Sequence, residues 1–210
     1  HRFATPAVLL LLAASSAFAQ DSRPAARFDA SGWDVLFDGK SLAGWTPRGG
    51  RYDGDAVWTV EDGCISGREG ANHAGGLLYT ETEHHSFLFS LEAKLDYPFD
   101  SGVFLRMSKD GKGAQVTLDD REGGEIGAIY ADGFLKHNEG GAAKWRKNAW
   151  NRLEVRCVGV DYRVTVWLNG EELVDYALPK GEAGYAPTGL IGLQVHGARN
   201  DAPHLACRFR

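Results

Sequence analysis

The chain has only three cysteines, Cys64, Cys157 and Cys207, spaced too far apart for a zinc motif and able to form one disulfide at most. Small buried side chains in strands are the preferred reading, although an exported chain permits one bridge. Clustered positive charge is also scarce. The formal net charge is −5, and Lys144 to Lys147 (K-W-R-K) is the only basic cluster. A phosphate backbone would have no concentrated positive face to meet, so no nucleic-acid partner is expected. Gly-x-Ser-x-Gly, a phosphate loop and a dinucleotide fingerprint are all missing. His84-His85 lacks metal-ligand spacing, and Asp119-Asp120-Arg121-Glu122 lacks the glycine-spaced oxygen ligands of a calcium loop. A divalent ion that polarises a substrate carbonyl is compatible with the chain, but no ligand set identifies one.

No apolar run approaches the roughly 20 residues that cross a bilayer. The longest, Ala7 to Ala14, follows Arg2 and precedes Ala17-Phe18-Ala19. A basic start, a short apolar core and a small-x-small site make residues 1–19 a signal peptide. The expectation is an exported chain, periplasmic or extracellular, cut near Ala19 and without a membrane span when mature. Removing Arg2 takes the net charge to −6. His1 in place of methionine, and a strand-like end at Arg210, suggest a fragment. Residues 20–32 are polar and contain proline, as a linker would, which leaves 33–210 as one domain.

Helical periodicity is likewise absent, whereas 27 glycines punctuate short alternating runs. Phe87, Phe89, Leu91, Ala93 and Leu95 fall on one face of a strand, with Ser90, Glu92 and Lys94 on the other. Strands are predicted over 57–60 and 64–67, joined by Glu61-Asp62-Gly63, and over 77–79, 150–158, 189–196 and 205–210. Residues 162–168 and 171–176 flank Asn169-Gly170, the strongest short-range hairpin signal, because both turn residues need positive φ. Trp33 to Trp45 predicts a short strand, an Asp-Gly turn and a tryptophan folding back. About a dozen strands with turns every 8 to 12 residues make an all-β, two-sheet antiparallel sandwich.

Polar side chains concentrate between Ser101 and Asn138, on predicted strands 102–107, 115–118 and 126–130. Parity places Gly102, Phe104 and Arg106 on one face and Gln115, Thr117 and Asp119 on one face. Asp120 is out of phase unless a bulge corrects it. Gln194 and His196 lie opposite Leu193 and Val195. A curved sandwich makes such a face a concave groove for a sugar, with Tyr130 and Trp145 as stacking partners; a solvated outer sheet face is the alternative.

Seven blocks in order carry a resemblance: L-F-D-G-K-S-L-A-G-W (36–45), V-E-D-G-C-I-S-G (60–67), F-L-F-S-L-E-A-K (87–94), S-G-V-F-L-R (101–106), V-W-L-N-G (166–170), G-L-I-G-L-Q-V-H-G (189–197) and F-R (209–210). The chain resembles the 3-keto-disaccharide hydrolase family over nearly all its mature length. The resemblance implies a concanavalin A-like, laminin G-like jelly roll, and action on glycosides carrying a ketone at sugar carbon 3. That ketone acidifies the hydrogen on carbon 2, so a base can form an enolate that expels the glycosidic oxygen from carbon 1, and water added later completes hydrolysis. The family pattern Glu-x-Gln-x-x-Asp corresponds to Gln115 through Asp120, with Gln115 replacing the glutamate and Thr117 the glutamine. The implied roles are Asp120 or His137 as base, Arg106 and His196 steadying the enolate, and Tyr130 or Gln194 orienting the sugar, with Gln115, Asp119 and Trp145 also at the substrate. A non-catalytic carbohydrate-binding module is the alternative, and an endo-glucanase-like hydrolase the third reading.

Overall fold

The computed structural model describes residues 32–110, 112–160, 162–177, 185–198 and 204–210. The expected signal peptide and nearly all of the expected linker lie outside the described residues. In chain order the strands are β1 (Trp45–Thr46), β2 (Val57–Glu61), β3 (Cys64–Arg68), β4 (Gly76–Thr80), β5 (Phe87–Leu95), β6 (Asp100–Met107) and β7 (Ala114–Asp119). They continue with β8 (Ile126–Tyr130), β9 (Phe134–Lys136), β10 (Asn151–Val158), β11 (Arg163–Leu168), β12 (Glu171–Ala177), β13 (Leu190–Val195) and β14 (Cys207–Phe209). Two antiparallel sheets of seven result, ordered β1-β4-β13-β6-β7-β8-β9 and β12-β11-β10-β5-β14-β3-β2. The fold is the expected all-β jelly-roll sandwich, and among the described residues helix is confined to single turns at Ala71–His73 and Gly141–Lys144.

The predicted alternation accounts for the core. Phe89, Leu91, Ala93 and Leu95 of β5 pack between the sheets against Val103 and Leu105 of β6 and Val116 and Leu118 of β7. Leu95 is fully buried, so Leu95→Ala should cost about 2–5 kcal/mol through lost transfer energy and a cavity. Asn169 and Gly170 take φ of 52° and 88° between β11 and β12, and Asp62 and Gly63 take 50° and 74° between β2 and β3, as two-residue hairpins require. Trp45 turns back onto Leu36, its indole donating to the Leu36 carbonyl at 2.7 Å. The predicted strand beside it does not form; Val35 is 82% exposed. All three cysteines are buried and free, and burial pushes the thiols of Cys157 and Cys207 up to about 12.

Two bulges break the alternation on which the sequence reading of the polar face rested. Met107 pairs with Leu190 and Phe104 with Gly192, so Leu105 and Arg106 together oppose one residue of β13. Arg106 takes φ of 49° there, and Gly189 lies so close that a Cβ on it would sit 2.4 Å from the Arg106 backbone. The extra residue reverses parity: Arg106 turns inward and Met107 outward. On β8, Ile126 opposes Leu118 and Ile129 opposes Val116, so Gly127 and Ala128 share the position opposite Thr117. Gly127 takes φ of 78°, and the Ala128 amide donates to Thr117 Oγ1 at 3.1 Å.

Candidate active site

The outer face of the first sheet carries its polar side chains in rows that follow from register. Tyr79, Gly192, Phe104, Gln115 and Tyr130 are successive partners across β4, β13, β6, β7 and β8. Two residues along each strand, Gln194 pairs with Leu77 and Gly102 with Thr117. Beyond them Asp100 pairs with Asp119, and the His196 amide donates to the Asp100 carbonyl at 3.3 Å. These rows floor a groove of about 900 Å³.

One end of this face is apolar and covered. Leu77, Tyr79, Phe104 and Met107 form a cluster separate from the main core. The segment 49–54 lies directly on it: a Cβ on Gly50 would meet the Tyr79 ring at 2.2 Å, and the Tyr52 amide donates to Tyr79 Oη at 3.0 Å. Tyr52 also sets its ring 5.7 Å from that of Phe104, and burial raises the pKa of both tyrosine hydroxyls. Tyr130 and Phe134 extend this aromatic lining edge to face at 5.3 Å. Rings in such positions suit the flat C–H faces of a sugar.

In the middle of the floor two amides are joined. Gln115 Nε2 donates to Gln194 Oε1 at 2.6 Å and weakly to the Ser101 carbonyl at 3.4 Å. The Gln115 side chain crosses Gly102, where a Cβ would lie 2.1 Å from Nε2. A side chain at that position would displace the Gln115 amide. At the polar end Arg121 binds Asp119 through Nε and Nη2 at 2.8 and 2.7 Å and reaches Asp100 at 2.9 Å. Asp100 and Asp119 are thus tied to one guanidinium. That pair is not disposed as a separated acid and base.

At the rim, His137 Nδ1 meets Glu125 Oε1 at 2.6 Å, and the Asn138 amide donates to Glu125 Oε2 at 2.7 Å. Because a carboxylate can only accept, Nδ1 carries a proton, and in the neutral ring Nε2 then presents its lone pair. The imidazole stacks on Phe134 with centroids 4.4 Å apart. His196 has the same polarity for a different reason, since its Nδ1 lies 2.9 Å from the Gly197 carbonyl.

Of the residues singled out from sequence, Gln115, Asp119, Tyr130, Gln194 and His196 line the groove, with His137 beside it. Three others do not belong to it. Arg106 is fully buried between the sheets, over the Tyr162 ring at 4.8 Å, and donates to the Gly159 carbonyl at 2.8 Å, because the bulge turned it inward. Asp120 keeps the parity of Leu118, since no bulge falls at its position, and accepts from the Phe99 amide at 2.8 Å. Burial raises its carboxyl pKa; the Phe99 amide and the nearby Trp145 indole lower it, although the indole falls outside hydrogen-bond geometry. Trp145 itself is a core residue. Sequence reasoning missed Asp100, Arg121, Glu125, Tyr52 and Phe134. Only Asp100 had a signal, the parity it shares with Gly102 and Phe104. Among the described residues no group of three His, Cys, Asp or Glu side chains is arranged to hold a metal ion.

The family model of the 3-keto-alpha-glucoside-1,2-lyase-like domain matches residues 32–210. A 3-keto-disaccharide hydrolase of Bacteroides thetaiotaomicron is 34% identical over 106 residues, a match spanning 47% of this chain and 33% of that relative. A structure from Parabacteroides distasonis, provisionally assigned as a glycosyl hydrolase, superposes with a TM-score of 0.60 at 23% identity, covering 85% of this chain and 95% of that one. The carbohydrate-binding module CBM66 of Bacillus subtilis gives 0.51 at 15% identity, covering 80% and 92%. At these identities the two structures show a shared fold.

Proposed function

Because the chain belongs to the 3-keto-alpha-glucoside-1,2-lyase-like family, we propose that it cleaves the glycosidic bond of 3-keto-glycosides in the groove of its first sheet, by elimination across carbons 1 and 2 followed by hydration. The observation that carries this reading is an aromatic-lined groove with an amide floor and the His137–Glu125 pair at its rim. The sugar ring lies against Tyr130 and Phe134. His137, oriented by Glu125, takes the proton from carbon 2. The electrons left on carbon 2 delocalise onto the ketone oxygen, which the Gln194 amide, held in place by Gln115, meets with an N–H donor. Collapse of the enolate forms the carbon 1–carbon 2 double bond and releases the glycosidic oxygen, which takes a proton as it leaves. Water then adds across that bond.

Elimination asks less of the protein than direct hydrolysis, since the ketone supplies the activation that a protonating carboxylic acid supplies in a two-carboxylate glycosidase. This suits a groove in which Asp100 and Asp119 share Arg121. The uncharged Gln115 also fits a second reading, a carbohydrate-binding module that binds without turnover. Purified protein incubated with a 3-keto-glucoside and with its unoxidised parent separates the two. Sugar release from the keto compound alone is expected, with a loss of about 100-fold or more in His137→Ala, as for a removed general base. Binding without release would favour the module, and release from the unoxidised parent a conventional glucanase.

A further inference from the structure

Segment 49–54 and the turn between β8 and β9 meet above the groove floor. Asp132 accepts from Tyr52 Oη at 3.3 Å through one carboxylate oxygen, and pairs with Arg51 Nη1 at 3.2 Å through the other. The Arg51 guanidinium lies over the Tyr52 ring, 5.1 Å from its centroid. These three residues come from positions about 80 apart in sequence, and all of them line the groove. Their anchors lie on opposite sides of the sheet. Tyr52 is fastened to Tyr79 of β4 and packed with its ring tilted against Phe104 of β6, while Asp132 follows Tyr130 of β8. The link therefore runs over β6 and β7, across the row that holds Phe104, Gln115 and Tyr130.

We infer that the Arg51–Tyr52–Asp132 clasp closes one end of the groove and sets its specificity, admitting a glycoside whose keto sugar is terminal and excluding one whose chain continues past that sugar in both directions. A sugar chain bound along a groove needs an exit at each end, and the clasp occupies one of them. The closure rests on an ion pair whose side chains are 35% and 41% exposed, together with one phenol–carboxylate hydrogen bond. Contacts this exposed are individually weak, so single substitutions open it without touching the core. The inference rests on the reading of the groove as a 3-keto-glycoside site.

The test uses two probes, maltotetraose oxidised at carbon 3 of its non-reducing terminal residue and maltotetraose oxidised at carbon 3 of an internal residue. The full chain is expected to cleave the terminal-keto compound at least about 100-fold faster than the internal-keto one. In Asp132→Ala, and separately in Arg51→Gln combined with Tyr52→Phe, the internal-to-terminal ratio is expected to rise at least tenfold. Thermal melts confirm that each variant is folded. A wild-type protein that cleaves both compounds equally well, or variants that keep the wild-type ratio, would overturn the clasp and leave the site reading intact. A wild-type protein that cleaves neither compound would overturn the site reading, and the clasp with it.

Discussion

Gly102→Ala separates what the groove floor does for function from what it does for folding. An alanine Cβ would lie 2.1, 2.8 and 2.9 Å from Nε2, Cδ and Cγ of Gln115. All three are side-chain atoms, and Gly102 is not among the residues with positive φ, so the backbone accepts alanine while Gln115 must swing away. Its bond to Gln194 is lost, a net cost of about 1 kcal/mol. Replacing glycine inside a strand returns roughly 0.5–1 kcal/mol of backbone entropy, leaving the sum near zero. The melting temperature should then stay within about 4 °C, since 1 kcal/mol moves a domain of this size by roughly 2–4 °C. Cleavage of a 3-keto-glucoside should fall by about 100-fold, the effect of losing one preorganised donor at a developing oxyanion. A double-mutant cycle with Gln115→Ala supplies the decisive comparison. Once the Gln115 side chain is gone, adding Gly102→Ala should cost almost nothing further. Independent, multiplying losses in the double variant, or a large drop in melting temperature in the single one, would refute the argument.

Other consequences can be measured directly. Glu125→Gln leaves His137 without the carboxylate that orients it, so kcat should fall about tenfold or more with KM little changed; an unaltered kcat would remove Glu125 from the mechanism. Asp120→Asn should retain cleavage, because Asp120 faces the core. Burial raises the Asp120 pKa in the folded state, so the folded chain holds a proton that the unfolded chain releases. Stability from this group is complete below its ordinary value of about 3.9 and declines as pH rises through the folded value. Urea midpoints of wild type and Asp120→Asn should therefore diverge with rising pH across that window, and parallel curves would contradict the assignment. For Arg106, whose Nε and Nη2 find no partner in the interior, Arg106→Met should keep cleavage and leave unfolding free energy unchanged or raised, as replacing a poorly satisfied buried charge by an apolar side chain often does. A loss of cleavage in the folded variant would return Arg106 to the active site.

Much of the fold could be read before any coordinates, because the features that specify it are local. The alternation of β5, the Asn169-Gly170 turn and the Asp62-Gly63 turn each depend on a few neighbouring residues, and each appears as expected. Five of the nine site residues named from sequence line the groove, and His137 stands at its rim. For Gln115, Asp119, Gln194 and His196, placement required only that alternation continue undisturbed through β7 and β13. Arg106 departs from it because a bulge inserts one residue opposite Ile191. That insertion depends on how closely Gly189 approaches from another strand, a contact across 83 positions of chain that no local pattern signals. Asp120 shows the converse: no bulge re-aims it, and plain alternation carries the carboxylate inward.

By itself the sequence determined the class of fold, the strands of the groove and the family, since period-two patterning and turn chemistry act over short range and the matching blocks lie in linear order. Only the tertiary structure decided which polar side chains meet. Gln115 with Gln194, Arg121 with Asp100, Glu125 with His137 and Tyr52 with Asp132 are joined by register, bulges and loop packing. Those depend on where separate strands come to rest beside one another, a relation that exists only after the sheets have formed.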